Sequence, residues 1–157
     1  IAGLVISSFE STIDRLALLA VFIPVIIGQA GIAGTQTLTL VVRSLALNEV
    51  TENDSRKLLL KEGMLALTQG STISILLGLI VWAWRSDFYL GLVVGLAMLL
   101  NLMMAGIGGV AVPLVMKVVR IDPAASSAVV VTTVTETLGI LSYLGLATVF
   151  LSLLRTS

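Results

Sequence analysis

The 157-residue chain is 57% hydrophobic and has a mean hydropathy of +1.11, the composition of a protein whose solvent is largely lipid. Its formal net charge of zero provides no basic surface for nucleic acid, so that class of partner is excluded. The chain contains neither cysteine nor histidine, which excludes disulfides, thiolate metal sites and histidine general bases. A bound metal would therefore have to be held by oxygen.

Four apolar stretches are each long enough to cross a bilayer as a helix, which takes about 20 residues. Residues 1–7 are apolar but too short to span, so we interpret them as the end of a further crossing, followed by a polar interfacial segment at 8–14. The predicted full crossings are residues 16–47, 57–84, 88–119 and 123–154. The acidic Asp122 before Pro123 is typical of a helix start and marks the last crossing. The expected fold is a single all-α, polytopic transmembrane domain over residues 1–157, a helical bundle in a lipid bilayer.

Lysine and arginine are distributed unevenly between the two sides of this predicted domain. Six of the nine lie near the connections that follow the first and third full crossings: Arg43, Arg56, Lys57, Lys61, Lys117 and Arg120. The other three lie on the opposite side. Because positive charge concentrates in cytoplasmic loops, we expect those two connections to face the cytoplasm.

The first full crossing contains a glycine-rich run from Pro24 to Gln36, PVIIGQAGIAGTQ. Proline removes one backbone donor and clustered glycines loosen a helix, so we expect free carbonyls that face protein or a water-filled cavity. Helical spacing aligns small and oxygen-bearing residues in one stripe: Gly28, Gly31, Thr35 and Thr39. Oxygens of this kind are ligands for hard cations.

The last crossing carries a single carboxylate, Glu136, near the middle of an otherwise uncharged apolar run. An uncompensated charge at the bilayer centre costs at least about 2.5 kcal/mol, so such a residue is a functional-site hypothesis by default. It belongs to a second stripe at helical spacing: Ala125, Ala128, Thr132, Glu136 and Gly139. Together the two stripes form the candidate cation site.

Each stripe also has a purely structural interpretation. Small residues at helical spacing let membrane helices approach closely, as we expect at Gly91 and Gly95, and a membrane threonine commonly bonds its own helix. Glu136 itself would be structural if it were protonated or paired with Asn101 or Gln69. Helix packing alone does not require a carboxylate, however, which favours the functional interpretation.

The Pro24–Gln36 run and the following TLTLVVRSLAL (residues 37–47) resemble the membrane domain of the MgtE-type magnesium channels and transporters, whose relatives include a eukaryotic solute-carrier family. The resemblance continues through four further segments: Lys61-Glu62, LLNL at 99–102, IDPA at 121–124 and TTVTETLG at 132–139. It covers nearly the whole chain. The sequence is accordingly identified as a member of that family.

The resemblance implies a homodimer with five crossings per subunit, most of the first lying outside this sequence, and a cation pore along the dimer axis. It implies that Glu136 is the acidic centre that holds a largely hydrated Mg²⁺. By the same motif alignment, six other residues would surround the hydrated ion: Gly28, Gly31, Ala128 and Thr132 through the backbone, and Thr35 and Thr39 through their side chains.

The resemblance also implies that Mg²⁺ is the transported ion and that no cofactor is needed. Soluble N-terminal and CBS domains that sense cytosolic magnesium are usual in the family and lie outside these 157 residues. The expected location is the inner, or plasma, membrane of a bacterium or an archaeon.

Departures from the family pattern leave alternatives open. Ile32 stands where asparagine is usual, Glu136 where aspartate is usual, and Ala128-Val129 where a Gly-Pro or Asn-Pro pair is usual. Because glutamate is longer than aspartate, one alternative is a transporter of other or a broader range of divalent cations, such as Ca²⁺, Mn²⁺ or Co²⁺. The changed residues Ile32 and Ala128 favour another alternative, a non-transporting scaffold or regulatory subunit. An intramembrane hydrolase would need a nucleophile with a base, or paired carboxylates, and the predicted crossings contain neither. We therefore expect no enzyme.

Overall fold

The computed structural model describes residues 1–15, 17–47 and 55–150 of the chain. Within those ranges all regular structure is helical, which confirms the predicted all-α class. The six helices are α1 (Ala2–Ser8), α2 (Glu10–Arg15), α3 (Leu19–Ala46), α4 (Ser55–Arg85), α5 (Phe88–Val118) and α6 (Pro123–Val149).

Helices α3 to α6 are long and apolar enough to cross a membrane, which confirms the polytopic all-α class; the predicted bounds of the crossings stay predictions. Their candidate spans are Leu19–Ala46, Lys57–Arg85, Phe88–Val118 and Ser127–Val149. The predicted end of the last crossing, residues 151–154, lies outside the described residues. The interpretations of residues 1–7 and 8–14 stay predictions; these residues fall on the short helices α1 and α2, of which α1 packs against α6.

Short connections with acidic N-caps make the last three helices antiparallel neighbours. The Asp87 carboxylate accepts a hydrogen bond from the Leu90 amide at 2.9 Å and caps α5. The Asp122 carboxylate accepts one from the Ala124 amide at 2.9 Å and caps α6, which confirms the predicted start at Pro123. Each cap satisfies an amide that would otherwise lack a partner at the helix end.

Helix α5 occupies the centre of the bundle and packs against α3, α4 and α6. Its side chains are buried on most sides, including Val93, Val94 and Ala97, none of which has measurable exposure. Helix α4, by contrast, packs mainly on α5 and presents exposed apolar side chains such as Leu76 and Ile80 on its outer face. An apolar outer face is what a helix in contact with lipid requires.

Close approach of α4 and α5 confirms the expected packing role of Gly91 and Gly95. A Cβ atom at Gly91 would lie 2.6 Å from the Gly78 carbonyl oxygen, and one at Gly95 would lie 3.1 Å from the Ser74 carbonyl oxygen. Since lipid is as apolar as the helix surfaces, this backbone proximity, with its dispersion contacts, is what holds two membrane helices together.

We expect Gly91→Ala to destabilise the domain by about 1–3 kcal/mol, because the added methyl group overpacks a contact made by backbone atoms. The measurement is the midpoint of thermal unfolding in detergent. Gly145→Ala is the matched control, since a Cβ there meets no atom within 4 Å, and alanine is the better helix former. Equal midpoints for the two variants would contradict the close α4–α5 contact.

Candidate cation site

Glu136 lies midway along α6, about 20 Å from either end of the helix at 1.5 Å per residue. Its side chain is exposed on the surface of the single chain. Among the described residues, no group of three or more acidic side chains is assembled that could bind a metal. A cation at Glu136 would therefore draw its other oxygens from neutral residues, from water or from a second copy of the chain.

The two residues considered as structural partners of Glu136 lie in other parts of the bundle. The Asn101 side-chain amide is fully buried and donates a hydrogen bond to the Ile26 carbonyl oxygen at 2.9 Å. It occupies space left by Gly139, where an added Cβ would lie 2.7 Å from the Asn101 Cγ. Gln69 lies on α4 and lines a cleft that faces α3. Asn101 thus ties α5 to α3, and Gly139 makes room for it.

Helices α3 and α6 run antiparallel in a register set by two contacts. The Tyr143 hydroxyl donates a hydrogen bond to the Leu19 carbonyl oxygen at 3.0 Å, and Val131 packs on Gly34, with its Cγ1 3.0 Å from the position of an added Cβ. Interpolation between these contacts brings Glu136 to the level of Gly28. The acidic residue and the glycine stripe thus meet at the same depth.

The glycines of α3 divide into two kinds. Gly34 is buried, and a Cβ there would also lie 3.5 Å from the Ala105 carbonyl oxygen on α5. Gly28 and Gly31 face open space, since a Cβ at either position would meet no atom within 4 Å. Packing within one chain thus explains Gly34 and leaves Gly28 and Gly31 unexplained.

The expectation that proline and glycine loosen the first crossing is wrong, because α3 is continuous from Leu19 to Ala46 with Pro24 inside it. Pro24 removes only the amide that would have bonded the Ala20 carbonyl, four residues earlier. A helix in hydrocarbon keeps its other backbone bonds because lipid offers no replacement. Direct backbone ligands are therefore scarcer than the sequence pattern indicates.

Three threonines of the candidate site bond their own helices, as the structural interpretation expects. Thr35 donates to the Gly31 carbonyl at 2.9 Å, Thr39 to the Thr35 carbonyl at 2.8 Å, and Thr132 to the Ala128 carbonyl at 2.9 Å. Each hydroxyl thereby commits its only hydrogen and keeps lone pairs for an incoming donor. Such oxygens suit the water molecules around a hydrated cation.

The predicted site residues do not surround one point. Gly28 and Thr39 are separated by about 16 Å along α3, and Ala128 and Glu136 by about 12 Å along α6, at 1.5 Å per residue. Only Glu136 and Gly28 share one level, with Gly31 and Thr132 about one turn away. The set therefore extends along two helices, with Glu136 at its middle depth.

Two polar side chains of this set, Thr39 and Glu136, are exposed on the outward faces of α3 and α6, beside exposed apolar residues such as Val25 and Val134. Ionisable and amide groups at membrane depth face a bundle interior, a water-filled cavity or another protein surface. The fold therefore defines a polytopic helical membrane protein, with one carboxylate exposed at the middle of its last helix.

Sequence reasoning missed a second polar feature, a cavity of about 340 Å³ between α3 and α4. We call it the α3–α4 cleft. Its polar side chains are Gln29, Gln36, Thr37, Glu62 and Gln69, and Leu102 and Gly106 of α5 form its floor. A signal was present in the repeat of glutamine at Gln29 and Gln36, seven residues apart and thus on one helix face.

Comparison with known proteins identifies the family. Residues 23–146 match the MgtE family, described as divalent cation transporters. The chain is 34% identical to the magnesium transporter MgtE of Enterococcus faecalis over 146 residues. The aligned stretch covers 93% of this chain and 32% of that protein. It is 31% identical to the MgtE of Bacillus subtilis and 34% identical to that of Thermus thermophilus, in each case over 96% of this chain and 34% of the relative.

The chain therefore belongs to the MgtE family of divalent cation transporters and is a multi-pass membrane protein. It spans about a third of the length of the curated relatives that it matches.

Proposed function

We propose that this protein carries divalent cations, Mg²⁺ foremost, across a membrane through a pore on the axis of a homodimer. The observation that carries the proposal is the exposed Glu136 at the midpoint of α6, level with the open Gly28 on α3. The family's description as divalent cation transporters and the magnesium-transporting relatives support the choice of ion.

A second copy of the chain would cover the polar faces of α3 and α6. The two faces would then line an aqueous path between the subunits, and two Glu136 carboxylates would flank one cation. Dimerisation removes these polar groups from lipid, which is the main physical reason to expect it. Homodimers of this kind have two-fold symmetry, so the site would lie on the axis.

The cation would keep most of its water at this site. Magnesium exchanges water reluctantly and demands near-octahedral oxygen geometry, whereas the described residues bring one carboxylate and no cluster of acids. Threonine hydroxyls with their hydrogens already committed would accept hydrogen bonds from the bound waters. The membrane potential contributes about 2.3 kcal/mol per charge per 100 mV and would draw the ion inward, towards the cytoplasm. No covalent step is required.

Transport of other divalent cations is the second candidate, favoured by the exposed Ile32 of α3 and by the length of the Glu136 side chain. The Ile32 side chain is 55% exposed and apolar where a polar residue is usual in the family, and a glutamate reaches further than an aspartate. A less polar and narrower path would favour partial dehydration, which Ca²⁺ and Mn²⁺ accept more readily than Mg²⁺.

We expect proteoliposomes containing the protein to take up Mg²⁺, with Ca²⁺, Mn²⁺ and Co²⁺ competing less effectively at equal concentration. Uptake is measured with an indicator trapped inside the liposomes, and protein-free liposomes are the control. Preferential uptake of another divalent cation would show that this cation, rather than Mg²⁺, is the main substrate. The absence of any divalent flux would favour a scaffold or regulatory subunit instead.

A further inference from the structure

The α3–α4 cleft contains one charged side chain, Glu62, among its lining residues. The residue is half-buried and lies within the candidate span Lys57–Arg85. None of the described residues that line the cleft is cationic. A bound cation would supply the missing positive charge.

Helix α5 brings the two walls of the cleft together at neighbouring levels. A Cβ at Gly106 would lie 3.5 Å from the Glu62 carbonyl oxygen on α4, and a Cβ at Gly109 would lie 2.8 Å from the Thr37 Cβ on α3. Gly106 and Gly109 are about one helical turn apart. Glu62 and Thr37, which both line the cavity, therefore lie within about one helical turn of each other in depth.

The cleft is large enough to hold a hydrated ion. Six waters at about 30 Å³ each occupy roughly 180 Å³, which fits within a cavity of about 340 Å³. Three glutamine amides and a threonine hydroxyl supply neutral oxygens that accept hydrogen bonds from such waters. A single carboxylate suits outer contact with a cation that dehydrates reluctantly.

This position differs in depth from the Glu136 level. Thr37 lies about 14 Å from Gly28 along α3, towards the end that carries Arg43. That end is the one whose connection we expect to face the cytoplasm. Glu62 and Glu136 are thus two carboxylates at two depths of the same helical bundle.

We propose that the α3–α4 cleft is a second binding site for a hydrated divalent cation, with Glu62 as its charged residue. The identity of the ion rests on the proposed function, because the transported cation would be the one bound. The site would raise the local concentration of that cation near the cytoplasmic end of the path. It needs no second carboxylate and no direct contact with Glu136.

The test is Mn²⁺ binding to the purified protein in detergent, followed by the loss of the free-ion signal in electron paramagnetic resonance. Four proteins are compared: the unchanged chain, Glu62→Gln, Glu136→Gln and Glu10→Gln. Glu10 is an exposed carboxylate on α2, outside the cleft, and is the matched control for loss of charge. Glutamine has the size of glutamate, so packing is preserved.

We expect Glu62→Gln to lose one bound Mn²⁺ per chain, or to weaken it by about tenfold, since a charge-assisted hydrogen bond is lost. Glu10→Gln should bind as the unchanged chain does, and adding Mg²⁺ should displace the Glu62-dependent Mn²⁺. Unchanged binding in Glu62→Gln would overturn the proposal. So would displacement of the ion by sodium at the same ionic strength.

The outcome for Glu136→Gln separates this inference from the proposed function. If Glu136→Gln retains full flux while Glu62→Gln loses a bound ion, the axial pore is wrong and the cleft site stands. If Glu136→Gln abolishes flux while Glu62→Gln binds normally, the cleft site is wrong and the pore stands.

Discussion

Glu136→Gln is expected to lower Mg²⁺ uptake by proteoliposomes by at least about a hundredfold, because each subunit loses a charge-assisted hydrogen bond to the hydrated ion. The substitution keeps the size of the side chain and removes a charge from the middle of a membrane helix. Its thermal unfolding midpoint should therefore be no lower than that of the unchanged protein. Loss of flux in a stable protein is the signature of a site residue.

Two companion variants sharpen this prediction. Glu136→Asp retains a carboxylate and should retain most of the uptake, while Glu10→Gln removes an exposed charge on α2 and should have no effect. If Glu136→Gln carries Mg²⁺ as well as the unchanged protein does, Glu136 is a structural carboxyl and the pore lies elsewhere.

Gly28→Leu is expected to reduce uptake by at least about tenfold, since a side chain at this position would narrow the proposed path beside Glu136. Gly28 is exposed within one chain, and an added Cβ meets no atom within 4 Å. Leucine is also a better helix former than glycine. The single chain should therefore fold as before, and the loss should arise between subunits.

The matched control is Gly34→Leu, which adds the same side chain two turns along the same helix. Gly34 faces Val131 and Ala105, so Gly34→Leu should lower the midpoint of thermal unfolding. Gly28→Leu should leave that midpoint unchanged. The Mg²⁺ uptake of Gly28→Ala should lie between that of the unchanged protein and that of Gly28→Leu. Full uptake by Gly28→Leu would remove Gly28 from the proposed path. Light scattering of the purified protein will show whether the variant has the same oligomeric state as the unchanged protein.

Much of the fold could be predicted from the sequence because its determinants are local. The length of each apolar stretch predicts which segments can cross a membrane as helices. Asp122 before Pro123 marks a helix start, because its side chain accepts one hydrogen bond from the backbone at the helix end. Glu136 was also recognisable, because a lone carboxylate in an apolar run is costly wherever the helix packs. These features need no knowledge of neighbouring helices.

Other features depend on tertiary contacts that spacing does not encode. Gly28, Gly31 and Gly34 belong to one glycine-rich run, yet only Gly34 is packed, because α5 and Val131 reach that position alone. The α3–α4 cleft likewise arises where two helices pack on α5 without filling the gap between them. The continuity of α3 reflects the strength of backbone bonding in hydrocarbon, which outweighs the flexibility of glycine.

The most direct measurement of the central claim is a structure of the protein in lipid with Mn²⁺ bound, in which the anomalous signal locates the ion. We expect a dimer with Mn²⁺ on its axis, separated from both Glu136 carboxylates by one water layer, or about 4–5 Å. An axial path without ion density at Glu136, or a dimer whose axis lies away from α3 and α6, would contradict it.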